Sequence, residues 1–170
     1  MAEPSGPFHI REATAADVPL ILEFIKDLAE YEHLSNIVVA TEEGLHAALF
    51  GSKPAAEVLI GEVGGAPAGF ALFFQSFSTF AGRSGLYLED LFVRPAYRRR
   101  GLGTGFLVRL AQIAIARNYG RMEWAVLDWN EMALRVYRRV GAEALGEWTV
   151  HRLTGDSLRA LAMKSQDLRT

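Results

Sequence analysis

A chain of 170 residues, 50% of them hydrophobic and 22% charged, has the size and apolar content of one domain with a real core. A net charge of -2 argues against a broad basic face for nucleic acid, and no apolar run approaches the ~18 residues that span a bilayer. With no cysteine, disulfides, thiolate catalysis and cysteine zinc sites are excluded, and a reducing cytoplasm is the simplest expectation.

Residues 1–7 are short and polar, with no apolar core for a signal peptide; they are expected to form a flexible tail ahead of one domain over 8–170. Residues 8–12 read as a strand. Thr14 or Asp17 caps the helix that follows, in which Val18, Ile21, Leu22, Ile25, Leu28 and Ala29 make one apolar face at helical spacing. A second helix is expected from about Thr41 to Phe50, stopped by Gly51. Residues 57–63 read as a strand, and Gly64-Gly65-Ala66-Pro67 turns the chain into another over 68–77. There Phe70, Leu72 and Phe74 alternate with Phe73 on the other face. A polar loop over 78–85 leads to a strand over 86–94, ended by Pro95. Residues 106 to about 118 read as a helix, 122–127 as a strand, and 131–140 as a helix ended by Gly141. Trp148, Val150 and Arg152 suggest a last strand, and Asp156 caps a terminal helix. This order is that of a mixed α/β domain.

The strongest local feature is a strand, then Arg98-Arg99-Arg100-Gly101-Leu102-Gly103-Thr104-Gly105, then a helix. N–H groups at a helix start are unpaired and carry partial positive charge, so they bind an anion such as a pyrophosphate. Gly101, Gly103 and Gly105 let a phosphate approach the backbone without a Cβ in the way. The three arginines add charge suited to phosphate oxygens, or else form a solvated surface turn. No Gly-Lys-Ser/Thr ending makes this a mononucleotide loop, and Phe106 stands where a dinucleotide fingerprint has its third glycine. His9, His33, His46 and His151 show no metal-ligand spacing, so no metal is expected.

Arg98-x-x-Gly101-x-Gly103 after Leu91-Phe92-Val93 resembles the acetyl-CoA motif of the GNAT N-acetyltransferases. The resemblance covers nearly the whole chain and leans toward the spermidine/spermine and thialysine acetyltransferases. Further stretches carry it: Ile10-Arg11-Glu12-Ala13 with Leu28-Ala29-Glu30-Tyr31-Glu32; Tyr87-Leu88-Glu89-Asp90; and Ala125-Val126-Leu127-Asp128-Trp129-Asn130, with Tyr137 seven residues beyond Asn130 and Gly141-Ala142 after it. It implies a GNAT-type α/β fold, a single domain with a central mixed, mostly antiparallel sheet splayed open for acetyl-CoA and flanked by helices. Leu91, Phe92 and Val93 would pair through their backbone with the pantetheine arm. Arg98, Arg99, Arg100, Gly101, Leu102, Gly103 and Thr104 would wrap the pyrophosphate. Asn130 and the start of the next helix, Glu131 and Ala133, with Tyr137, would lie near the thioester. The resemblance also implies a homodimer.

The implied reaction carries acetyl from acetyl-CoA directly to a small primary amine, with no protein nucleophile. Glu89 matches the family glutamate that faces the acceptor and is the candidate base, acting through a water. Asp90 is expected on the opposite strand face. Tyr137 is the candidate acid for the departing sulfur, although its spacing with Ala133, Leu134 and Val140 also suits a core position. Tyr31, Glu32, Glu123, Trp124, Ala125 and Glu147 are the acceptor-side candidates, because aromatic faces and carboxylates suit an ammonium group. A thialysine-like amino acid or a di- or polyamine is expected as acceptor. A protein lysine, a drug amine, and a non-catalytic acyl-CoA-binding module are the alternatives. This chain departs from the polyamine enzymes at Arg99, where they tend to have a small residue, and in short segments at 50–57 and 143–147. Those loops border the acceptor site.

Overall fold

The computed structural model describes residues 7–164, so the expected N-terminal tail lies, but for Pro7, outside the described residues. The chain falls into two compact units, one ending at Val136 and one beginning at Tyr137.

The first unit is built on a five-stranded sheet in the order β1-β2-β3-β4-β5. Its strands are β1 (Phe8–Glu12), β2 (Glu57–Val63), β3 (Ala66–Ser78), β4 (Arg83–Val93) and β5 (Met122–Trp124). The first four pair antiparallel, and β5 lies parallel to β4. The helices of this unit are α1 (Val18–Tyr31), α2 (Glu42–Phe50), α3 (Leu102–Ala116) and the start of α4 (Glu131–Arg139).

Alternation along the strands gives the sheet two apolar faces. Val58, Ile60, Phe70 and Phe92 join Ile21 and Phe24 of α1 and Leu49 of α2 in one core. Phe24 stacks on Phe70 with ring centroids 5.5 Å apart. On the other face Leu102 and Phe106 of α3 come down on Gly61; a Cβ there would lie 2.6 Å from the Phe106 ring and 2.8 Å from Leu102. Gly61 is therefore a packing residue, the notch that lets α3 approach. Two ion clusters tie the layers together. Arg11 holds both Asp17 and Glu62, and keeps the Asp17 carboxyl far below its ordinary range. Arg94, at the end of β4, grips Asp27 of α1 at 2.7 Å and lies over Phe24. Because the Arg94 pair is partly exposed, it orients α1 more than it stabilises the fold.

Several expectations shift. Asp17 does not cap α1 directly: a short 3-10 turn over Ala15–Asp17 intervenes, and the Asp17 carboxylate accepts from the Thr14 N–H. Thr41 caps α2, accepting from the Gly44 N–H. Gly51 ends α2 with φ -72°, so it acts through close approach to the Ala47 carbonyl rather than through a left-handed turn. The expected loop over 78–85 is mostly hairpin, with Phe77 opposite Ser84 and Ser78 opposite Arg83. The serines and glycine there pair as strand because backbone hydrogen bonds do not depend on side-chain polarity. The helix expected from 106 starts at Leu102 instead. The strand expected over 122–127 stops at Trp124.

The second unit holds the end of α4, Gly141 at φ 84° as its left-handed stop, and α5 (Gly155–Ala162). Thr154 precedes α5, while Asp156 sits in its first turn and pairs with Arg159 rather than capping. The strand expected around Trp148, Val150 and Arg152 is absent. Those residues have no strand partner among the described residues, and Trp148 and Val150 stay 74% and 80% exposed. Alternation alone cannot form a strand without a neighbour to bond.

Gly61→Ala is expected to lower stability by about 1–3 kcal/mol, because its Cβ overpacks against α3. Gly103→Ala, whose Cβ meets nothing within 4 Å, is expected to be neutral or slightly stabilising. Urea unfolding of the two variants beside the unmodified protein checks the contrast.

Candidate active site

The site begins with a loss of pairing. β5 bonds to β4 only where Leu86, Tyr87 and Leu88 meet Met122, Glu123 and Trp124. Past Leu88 the same edge of β4 has no neighbouring strand among the described residues, although β3 still pairs on the other side up to Val93. A bulge coincides with the split: Leu72 opposes Asp90 and Phe73 opposes Leu88, leaving Glu89 as the extra residue. Bulges bend and twist a strand, which turns β4 away from β5. Arg94 donates its N–H to Ala68 on β3 at 2.9 Å. By the two-residue repeat of an antiparallel ladder, Leu91 and Val93 then turn their backbone groups the other way, into the gap. Leu91 and Val93 thus offer a ready ladder for an extended amide chain. Phe92 keeps its side chain in the core.

The glycine loop closes one end of this gap. Arg99 and Gly101 both have left-handed backbone, φ 61° and 84°, and α3 starts directly after them. Gly101 takes this conformation freely, whereas Arg99 bears strain of about 1–2 kcal/mol. The departure noted at Arg99 therefore falls on a position that favours glycine. The three glycines do different work. Gly101 supplies the turn. Gly103 opens onto free space at the helix N-terminus. Gly105 does not serve a phosphate: a Cβ there would lie 2.7 Å from the Phe8 ring, so it admits β1 against α3. The Leu102 side chain is core, 1% exposed, and only its N–H is available to a ligand. With the first N–H groups of a 15-residue helix and an open Gly103, the cradle fits a pyrophosphate.

A carboxylate and aromatic cluster lies beside the gap. Tyr31 and Glu32 end α1, held by the α1 core contacts and Arg94. The Tyr31 ring packs 5.8 Å from Trp129 and 6.3 Å from Phe92, and its hydroxyl donates to Asn130 Oδ1 at 3.5 Å. Asn130 also caps α4, accepting from the Ala133 N–H at 3.2 Å. The helix therefore begins at Glu131, with Ala133 in its first turn.

The bulge places Glu89 and Asp90 where the register of β4 against β3 shifts. Glu89 and Glu32 both act on Asp90. Burial first, then Glu89 and Glu32, push the Asp90 carboxyl up to about 6, and burial raises Glu32. Glu32 follows Tyr31 in the chain and its charge reaches Asp90, an arrangement of acids that suits a cation.

Other candidates are placed differently. Glu123 on β5 is bound by Arg121 at 2.8 Å, so its charge is already answered. Trp124 is half-buried in β5 opposite Leu88, and Ala125 follows it. Glu147 is exposed in the second unit. Tyr137 lies on α4 in that unit, its carbonyl accepting from the Ala142 N–H. Asp90, Trp129 and His33 went unassigned in the sequence. The pattern Leu88-Glu89-Asp90-Leu91-Phe92, acids amid apolar strand residues, was the available signal for Asp90. His33 has φ 60°, and its ring lies 6.5 Å from Trp129. A separate cavity of about 560 Å³ lies between the start of β2 and the end of α3. Its polar walls are committed to each other, Arg117 to Glu57 at 2.7 Å and Tyr119 to Gln75 at 2.9 Å. Among the described residues no three His, Asp or Glu side chains converge as a metal site, and no helix is long and apolar enough to cross a membrane.

Comparison with known proteins gives a consistent picture. Residues 23–142 match the acetyltransferase (GNAT) family. A thialysine N-epsilon-acetyltransferase of Bos taurus is 39% identical, the match covering 91% of this chain and 97% of that protein. An L-ornithine acetyltransferase of Arabidopsis thaliana is 34% identical over 90% of this chain and 87% of its own. An integron cassette protein from V. cholerae superposes with a TM-score of 0.76 at 26% identity, covering 92% of this chain and 98% of that one.

Two outcomes follow from the geometry. Gly103→Ala is expected to weaken acetyl-CoA binding about tenfold or more, by calorimetry, because its Cβ meets the phosphate path and nothing else. Asp90 titrates near 3.8 unfolded and near 6 folded, so the folded state holds this proton more tightly. Its cost to stability is absent at low pH, grows between about pH 4 and 6, and is full above. Asp90→Asn is therefore expected to raise stability at pH 7.5 by about 1–3 kcal/mol. The gain should vanish below about pH 4 in parallel urea titrations.

Proposed function

Because the chain belongs to the GNAT acetyltransferase family, and so is an acetyl-CoA-dependent N-acetyltransferase, we propose that it acetylates the side-chain amine of a small thialysine- or ornithine-like amino acid, with di- and polyamines next. The observation that carries this reading is the opening of the sheet just before Glu89 and Asp90, with the charge of Glu32, the neighbour of Tyr31, reaching the buried Asp90 carboxyl. Relatives named for thialysine and ornithine support the same acceptor class.

Acetyl-CoA supplies an activated thioester, and the chain's own groups do the rest. The outer backbone of Leu91 and Val93 aligns the pantetheine arm. The α3 N-terminus with Arg98, Arg99 and Arg100 holds the pyrophosphate, and Asn130, Glu131 and Ala133 border the thioester end. Tyr31, Glu32 and Asp90 receive the ammonium group. An amine of pKa ~10.4 must lose a proton before it attacks, which costs about 4.6 kcal/mol at pH 7. Glu89 takes that proton through a water. Tyr137, assigned from the family resemblance, donates a proton to the departing sulfur. With both substrates held in contact, no covalent enzyme intermediate is needed. The same proposal places a homodimer in the cytoplasm, where a chain without cysteine needs no oxidising compartment.

Thiol release from acetyl-CoA, followed over a panel of thialysine, ornithine, lysine, diamines and polyamines, tests the acceptor. The amino acids are expected to give the highest kcat/KM. Acetyl-CoA binding without turnover on any amine would replace this reading with a non-catalytic acyl-CoA module. Tyr137→Phe is expected to lower kcat by roughly 10- to 10⁴-fold while acetyl-CoA binding is unchanged. Unaltered turnover in the folded variant removes Tyr137 from the chemistry.

A further inference from the structure

Arg98 opens the glycine loop, so charge alone would send its guanidinium toward the phosphates. In the structure it lies elsewhere. Its Nε donates to the Val93 carbonyl at 2.8 Å, and its Cζ stands 4.4 Å above the Tyr31 ring and 5.7 Å from the Phe92 ring. Both contacts matter for the site. The Val93 carbonyl belongs to the β4 edge that turns into the gap. The Tyr31 ring is the aromatic wall beside Glu32 and Trp129. A guanidinium over a ring face makes the same cation–π contact that an ammonium would make there. One side chain therefore covers a backbone acceptor that an extended amide would use and an aromatic face that a cationic substrate would use.

We propose that Arg98 is a resident cation in the acceptor site, which keeps the amine out until acetyl-CoA has bound. This proposal rests on the acceptor reading given above. In the free enzyme the incoming ammonium competes with a guanidinium that is covalently tethered and already hydrogen-bonded. When a pyrophosphate settles at the α3 N-terminus, a guanidinium of the loop gains a doubly charged partner. At the same time, pairing of an amide with the β4 edge competes for the Val93 carbonyl. Both changes favour withdrawal of Arg98 from Tyr31, which uncovers the ring. Binding order then follows from competition at one aromatic face, and no domain movement is required. The coupling is reciprocal: the amine, by excluding Arg98 from Tyr31, tightens the cofactor.

Calorimetry of thialysine binding tests this on the full chain, with and without saturating desulfo-CoA, an unreactive analogue that keeps the phosphates. The unmodified protein is expected to bind thialysine about tenfold or more tightly in the presence of the analogue. In Arg98→Gln the free protein should bind thialysine nearly as well as the analogue complex does, narrowing the ratio to about threefold or less. Initial-rate patterns should change from ordered to random in the same variant. Arg98→Lys, which keeps a cation near the ring, should retain most of the ratio. A purely structural role for Arg98 would weaken both ligands without altering that ratio. Equal thialysine affinity in the two states of the unmodified protein, or an unchanged ratio in Arg98→Gln, overturns the proposal while the acceptor reading stands. Absence of amine acetylation by the unmodified protein overturns the acceptor reading itself, and the proposal with it.

Discussion

Residues 90–93 of β4 are paired with β3 on one side and, among the described residues, with no strand on the other. Backbone amides and carbonyls in a folded interior need partners, so an edge of this kind is poised for an extended chain. The rest of the site depends on that edge being held still. Phe92 does this from within the core, Phe70 and Phe24 stack behind it, and Arg94 fixes the strand end to α1. The bulge at Glu89 sets where the edge begins. Without it β4 would continue along β5, and there would be no gap for a cofactor arm.

Charge divides the gap into two ends of opposite sign. The α3 N-terminus and the arginines beside it favour an anion. Glu32, Glu89 and Asp90 favour a cation, and burial, helped by the charges of Glu89 and Glu32, raises the Asp90 carboxyl to about 6. Under the proposed function, a phosphate-bearing donor and an amine acceptor would be sorted to opposite ends before any chemistry. Arg98 is the exception to this separation, since it starts in the anion loop and leans on the aromatic wall of the cation end. Its position couples the two ends through a single flexible side chain.

Much of the site was visible in the chain itself. The glycine loop between a strand and a helix, Tyr31-Glu32 at a helix end and Glu89-Asp90 near a strand end are local patterns, and each occupies the kind of element expected. Boundaries were less visible. The helix after the loop begins four residues earlier than its apolar periodicity suggested, because Leu102 is already packed on the sheet. The hairpin beyond Gln75 runs through polar residues, since cross-strand hydrogen bonds are blind to side chains.

What the sequence determined by itself was the class of protein, most of the order of its elements and the glycine loop between a strand and a helix, because these depend on residues close together along the chain. Tertiary structure decided the remainder. Gly105 proved to make room for Phe8, and Leu102 proved to be core, because distant segments meet there. Trp148 and Val150 found no strand partner among the described residues, so their alternation came to nothing. The bulge at Glu89 shifted the register of β4 against β3, and a bulge exists only between two paired strands. The place of Arg98, on a ring 67 positions away, was likewise settled only when α1 and β4 came together.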